Sequence, residues 1–207
     1  MKRIEEYLFL NKEFPYKNKW FNSFVVKSKE NIDLLEVMNE LIGNVDIIKK
    51  DDYSIIIYYE DLDFPIEDVI MSMSDDFGTG ILAYKMPKIY VNNNTFMELF
   101  DIYNKYLPSK TGFFSTSSFI QKVLEKDIND AKVLKKIYLS KILEDSLNEM
   151  LIKGIFNNDL NVLQTSKDIY MHRNTINNKI ALIEKETNLN LLKFKDAVSI
   201  YMLMQLK

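Results

Sequence analysis

The spacing of apolar positions changes character near residue 108. Before it, short β-branched and aromatic runs alternate with helical spacings. Residues 22–27, "NSFVVK", are apolar enough for a strand. Residues 30–43 place Ile32, Leu35, Val37/Met38 and Leu41/Ile42 at helical intervals, and Gly43 follows where a C-terminal cap glycine would stand. "VDIIKKDDYSIIIYYED" (45–61) reads as two strands about a polar turn, "KKDD". A helix is predicted over 64–78, with a proline near its start and Ile66, Val69/Ile70 and Met73 on one face. A strand over 79–86 follows, then an amphipathic helix over 93–107 capped by Asn94 or Thr95. The order β-α-β-β-α-β-α predicts an N-terminal α/β sandwich of ferredoxin-like type, with helices on one sheet face.

From about 116 the period stays helical, and no strand is predicted after residue 86. "PSKTGFFST" (108–116), rich in Pro, Gly and hydroxyls, marks the boundary. The fold class is therefore α+β: an α/β domain over 1–112, connecting helices over 113–145, and an all-helical C-terminal domain over 146–207. In "SLNEMLIKGIFNN" (146–158), Leu147, Met150/Leu151 and Gly154/Ile155 form the expected buried stripe. In the last helix, 194–206, that role falls to Phe194, Ala197/Val198 and Tyr201/Met202.

Composition narrows what such a chain can do. It has 207 residues, 47% of them hydrophobic, no cysteine and one histidine. Disulfides, thiolate metal sites and His-rich metal sites are excluded, and neither metal nor cofactor is expected. No uncharged apolar run reaches the roughly 18 residues of a membrane span, and the N-terminus does not read as a signal peptide, so a cytoplasmic location is expected. The net charge is -3, divided unevenly: residues 151–207 carry 8 Lys/Arg against 5 Asp/Glu, and the remainder 19 against 25. A mildly basic C-terminal segment on an acidic body suits a small polyanion-binding module.

The chemistry of that segment concentrates in "TSKDIYMHRNTINNKI" (165–180). Asn161 stands as the N-cap of a short helix over 162–169. A longer helix, 173–186, buries Ile176, Ile180 and Ile183 at i, i+4 and i+7. Only "YMHR" separates them, which forces a sharp turn and a large crossing angle; Ser166 is the small residue expected at the close approach, and Met171 the plug of the corner. At about 100° per residue, the outward face of the second helix carries Asn174, Asn177, Asn178, Ala181 and Lys185. Asparagine is a poor helix former. It does suit a helix that reads base edges, because Asn pairs bidentately with adenine and Arg with guanine. Arg173, Asn174, Asn177 and Asn178 are then base-facing candidates. Lys167, Thr175, Lys179 and Lys185 are candidate phosphate contacts. His172 either caps the second helix or touches DNA, and Arg173 either binds phosphate or pairs with Asp168. The asparagines could equally reflect a chain rich in Asn throughout.

The run from Thr165-Ser166 through Ile169, the His172-Arg173-Asn174-Thr175 block, Ile176, Lys179, Ile180, Ile183, Glu184 and Thr187-Asn188-Leu189-Asn190-Leu191 resembles the C-terminal helix–turn–helix of PucR/CdaR-type bacterial regulators. Three positions depart from the family pattern: Ser166 stands for Ala, Lys179 for Arg and Asn188 for Gly. Ser is small, Lys is basic and Asn tolerates the left-handed conformation. The resemblance implies a sequence-specific transcriptional regulator that binds double-stranded DNA as a homodimer, through helix 173–186. It leaves room for a small-molecule or protein effector, with no membrane partner. In longer members a degenerate GGDEF-like domain precedes this module, and the β-α-β-β-α-β order is similar to it. Active cyclases carry Gly-Gly-Asp/Glu-Glu-Phe at the central hairpin; this chain has "KKDDYSIII" (49–57) and no carboxylate in "FVVK". Asp51 and Asp52 alone do not build a two-metal phosphate site, so no catalytic residue is assigned and the domain is expected to be regulatory or dimerising. Two rival readings remain: a protein-interaction module that does not bind DNA, and an enzyme built on the α/β domain.

Overall fold

Two compact units, Met1–Ser115 and Thr116–Lys207, divide the chain in a computed structural model. It describes residues 3–10, 12–17, 19–28, 34–62, 64–76, 80–91, 95–108 and 111–207.

The first unit grows around strand β1 (Trp20–Ser28), which is apolar on both sides. Helix α1 (Arg3–Leu10) precedes it; α2 (Leu34–Ile42), β2 (Val45–Lys49), β3 (Ser54–Tyr58), α3 (Ile66–Asp76), β4 (Ile81–Lys85), β5 (Ile89–Tyr90), α4 (Thr95–Tyr106) and β6 (Gly112–Phe113) follow. The sheet order is β2-β3-β1-β4-β6, with β5 paired to the start of β1. β1 lies antiparallel between β3 and β4, with Phe24 opposite Ile56 and Lys85. The split βαββαβ order is the ferredoxin-like one read from the sequence.

Helices cover both faces rather than one. Phe24, Val26, Ile56 and Tyr58 face Met38 of α2 and Ile66, Ile70 and Met73 of α3. On the opposite face, Tyr103 of α4 stacks on Tyr84 at 4.1 Å, and Phe96 of α4 and Tyr7 of α1 meet Phe21. A strand enclosed on both faces gains from being apolar at every position, which is why "SIIIYY" shows no alternation. The predicted elements lie within a few residues of those observed, except at their ends. The expected helix start at 30 and the Asn94 cap fall outside the described residues. Three elements were not predicted: α1, and the two-residue strands β5 and β6, which are too short to carry a period. The "KKDD" turn is an exposed hairpin closed by Lys50 N–H donating to the Tyr53 carbonyl at 2.8 Å, and the Lys50 ammonium pairs with Glu5 of α1. Gly43 adopts φ +81°, as a C-terminal cap glycine should.

The second unit is helical throughout: α5 (Thr116–Lys126), α6 (Ile128–Leu143), α7 (Ser146–Asn157), α8 (Val162–Asp168), α9 (Arg173–Thr187) and α10 (Phe194–Gln205). The helices expected to connect the two parts, 113–145, cluster with the C-terminal unit from Thr116 onward. Gln121 on α5 donates to the Ser199 hydroxyl and the Lys195 carbonyl of α10, each at 3.1 Å. Lys135 on α6 donates to the Leu206 carbonyl at 2.6 Å, satisfying an orphan group at the end of α10.

These attachments rotate two predicted helix faces. The buried side of α10 is Ala197, Ser199, Ile200 and Leu203, while Phe194, Tyr201 and Met202 are exposed. On α7, Leu151, Ile152, Gly154 and Ile155 are buried and Leu147 and Met150 exposed. The displacement on α7 has a polar cause: buried Asn148 donates to the Ile142 carbonyl at 3.0 Å, at the C-terminal end of α6. Among the described residues no helix is long and apolar enough to cross a membrane.

Candidate nucleic-acid interface

Helix α8 is started by Asn161, whose side chain accepts from the Gln164 amide at 3.0 Å. Its inner face is set by Thr165. That hydroxyl is fully buried and lies within bonding distance of the Asn161 carbonyl (2.8 Å) and the Gly154 carbonyl of α7 (3.3 Å). α7 and α8 approach closely at Gly154, where a Cβ would sit 2.8 Å from Ile169 Cγ2 and 3.2 Å from Thr165 Cγ2. Ser166 is half-buried and donates to the Leu163 carbonyl at 2.9 Å. The missed signal was Gly154 itself, since a glycine inside a helical pattern costs about 1 kcal/mol against alanine unless backbone approach requires it.

The turn has the geometry of a Schellman ending. The Met171 amide donates to the Ser166 carbonyl at 3.2 Å, and Tyr170 between them is left-handed at φ +51°. Met171 is buried and fills the corner, as the sequence predicted. His172 then caps α9: its Nδ1 accepts from the Asn174 amide at 3.2 Å, in extended backbone conformation. Capping is thus a role the structure gives the lone histidine, whose side chain stays exposed.

On α9, Ile176, Ile180 and Ile183 are buried, each contributing about 1.5–3 kcal/mol by removal from water. Asn174, Asn177, Asn178, Ala181 and Lys185 are exposed on the side away from that stripe, and Arg173 and Thr175 are exposed in the first turn. Lys167 is exposed on α8. Arg173 makes no ion pair with Asp168 among the described residues; Asp168 instead accepts from the Asn158 amide nitrogen at 3.2 Å. Lys179 departs from its expected place on phosphate. It sits beside the buried stripe, with its ammonium 2.7 Å from Asp145 and 2.8 Å from Asn148, both at the start of α7. That bond and the Leu147 amide hold the Asp145 carboxyl below its ordinary pKa. Asn188 closes α9 at φ +58°, the left-handed cap for which Asn substitutes for Gly. Beyond it, buried Leu189 and Leu191 alternate with Asn190, which ties the loop to Glu184 at 2.7 Å and accepts from the Leu192 amide.

A short helix, a tight left-handed turn and a longer helix with an exposed amide face define a helix–turn–helix. Residues 152–206 match the PucR C-terminal helix-turn-helix domain. The match supports a DNA-binding transcriptional regulator. No curated protein matches the chain. Among solved structures, a regulator of polyketide synthase expression from Bifidobacterium adolescentis aligns with TM-score 0.43 and 8% identity over 93% of this chain and 82% of that one.

Proposed function

We propose that the protein is a sequence-specific transcriptional regulator of PucR/CdaR type, acting in the cytoplasm as a homodimer on double-stranded DNA. The observation that carries this reading is the exposed face of α9. Asn174, Asn177 and Asn178 are exposed on it away from a core of three isoleucines, with exposed Arg173 at the first helical position. Inserted in the major groove, these four side chains meet base edges, while Lys167, Thr175 and Lys185 contact phosphate and His172 orients the first turn. Lys179 is set apart from the phosphate contacts because Asp145 and Asn148 hold its ammonium. One such module has a small footprint, which favours paired half-sites and a dimer. The N-terminal unit, degenerate GGDEF-like in this reading, receives an effector or mediates dimerisation; the exposed Lys49–Asp52 turn lacks the glycines that would admit a nucleotide.

The test is binding to a duplex from upstream of the protein's own gene, at two salt concentrations. Asn174→Ala/Asn178→Ala is expected to weaken binding at least tenfold, since each bidentate pair is worth about 1–3 kcal/mol of discrimination, with the melting temperature unchanged. Absence of binding to any genomic duplex at low salt, with the dimer verified by light scattering, would sink the reading.

A further inference from the structure

Tyr170 breaks two local rules with no visible return inside the fold. It occupies the left-handed position that ends α8, where the backbone favours glycine and next asparagine because a Cβ is crowded there. It is also a large aromatic side chain that is 96% exposed. Among the described residues its hydroxyl has no hydrogen-bond partner and its ring no stacking partner. An exposed ring recovers no burial energy, so neither feature stabilises the folded chain. Local rules broken without a compensating contact point to a contact made outside the chain.

Resting on the DNA-binding reading above, we infer that Tyr170 is a backbone-anchoring residue whose phenolic hydroxyl donates a hydrogen bond to a DNA phosphate beside the α9 groove. Three features of the turn support this placement. Tyr170 lies between exposed Lys167 and exposed Arg173 along the chain, immediately before the helix whose first residues reach base edges. The backbone that carries it is fixed on both sides, by the Ile169 amide on the Thr165 carbonyl at 3.0 Å and the Met171 amide on Ser166 at 3.2 Å. Buried Met171 pins the turn on its inner side, so the tyrosine side chain is presented outward. A neutral hydroxyl on phosphate fixes register without reading sequence and without displacing a counterion.

That last property makes the inference separable from the reading on which it rests. Tyr170→Asn and Tyr170→Phe are titrated against two duplexes of equal length, one from upstream of the gene and one of scrambled sequence, across a salt series. Asn relieves the left-handed crowding, so the melting temperature should hold or rise by a few degrees. Its affinity should fall about tenfold, the size of a hydrogen bond to a charged group. The loss should be equal on both duplexes, and the slope of affinity against salt should not change. Phe should lose most of the same affinity with no change in melting temperature. Full affinity in either variant, or a loss confined to the upstream duplex, overturns the phosphate contact while leaving the regulator standing. Failure of the unaltered chain to bind either duplex overturns both.

Discussion

Gly154 lies in the middle of α7 facing Thr165 and Ile169, and its missing side chain sets how closely α7 and α8 approach. Alanine there would gain about 1 kcal/mol of helix propensity. It would also drive a methyl into the branched Cγ2 of Ile169 at 2.8 Å, which cannot swing away without moving α8. Overpacking of that kind costs about 1–3 kcal/mol, so Gly154→Ala is expected to be destabilising overall, lowering the denaturant midpoint. An unchanged or raised midpoint would show that α8 yields freely. Thr165 adds a second constraint, because its buried hydroxyl would lose both carbonyl partners in a valine variant. Single residues of this sort are hard to read from one sequence. Ser166 stands out because it is small and near the turn, whereas the glycine that sets the α7–α8 approach lies on another helix.

At the scale of elements, α9 is held by its isoleucines and by polar fastenings, Lys179 to Asp145 and Asn148 and Glu186 to Lys141 of α6. Asp145 has its pKa lowered chiefly by the Lys179 hydrogen bond, then by the Leu147 amide. A carboxyl with a depressed folded pKa contributes stability above the unfolded value and loses it as pH falls through the folded one. Asp145→Asn should therefore lower the melting temperature at pH 7, and the gap to the unaltered protein should close as pH drops below about 4, the ordinary carboxylate range. A gap independent of pH would mean that the aspartate acts only as a neutral helix cap. The periodicity of α9 made its core and its exposed face legible, since Ile176, Ile180 and Ile183 repeat locally and need no knowledge of distant neighbours. The faces of α7 and α10 were not legible to the same degree. Their burial is decided by partners on α5 and α6, such as Gln121 and Lys135, and by the polar cap that Asn148 makes. The sheet falls between these cases: strong β-branched runs announced β1 to β4, but whether one or both faces were covered depended on α1 and α4.

Across the whole molecule, the acidic body and the faintly basic C-terminal segment limit how DNA can be held. With Lys167 and Lys185 as the charged phosphate contacts proposed for one module, the salt slope is about -1.8, and two modules on one duplex give about twice that. Titration across a salt series thus reports how many copies engage, and a slope near zero would exclude anchoring by charged phosphate contacts.

The position of β6 has a consequence for the order in which the protein can be completed during synthesis. Gly112 and Phe113 pair in parallel with Leu82 and Ala83, and the Phe114 amide donates to the Ala83 carbonyl at 2.7 Å. The free edge of β4 is therefore closed by some of the last residues of the first unit. Until the ribosome has passed residue 114, a nascent chain carries an apolar sheet whose β4 edge is bare, open to pairing with a neighbouring nascent chain.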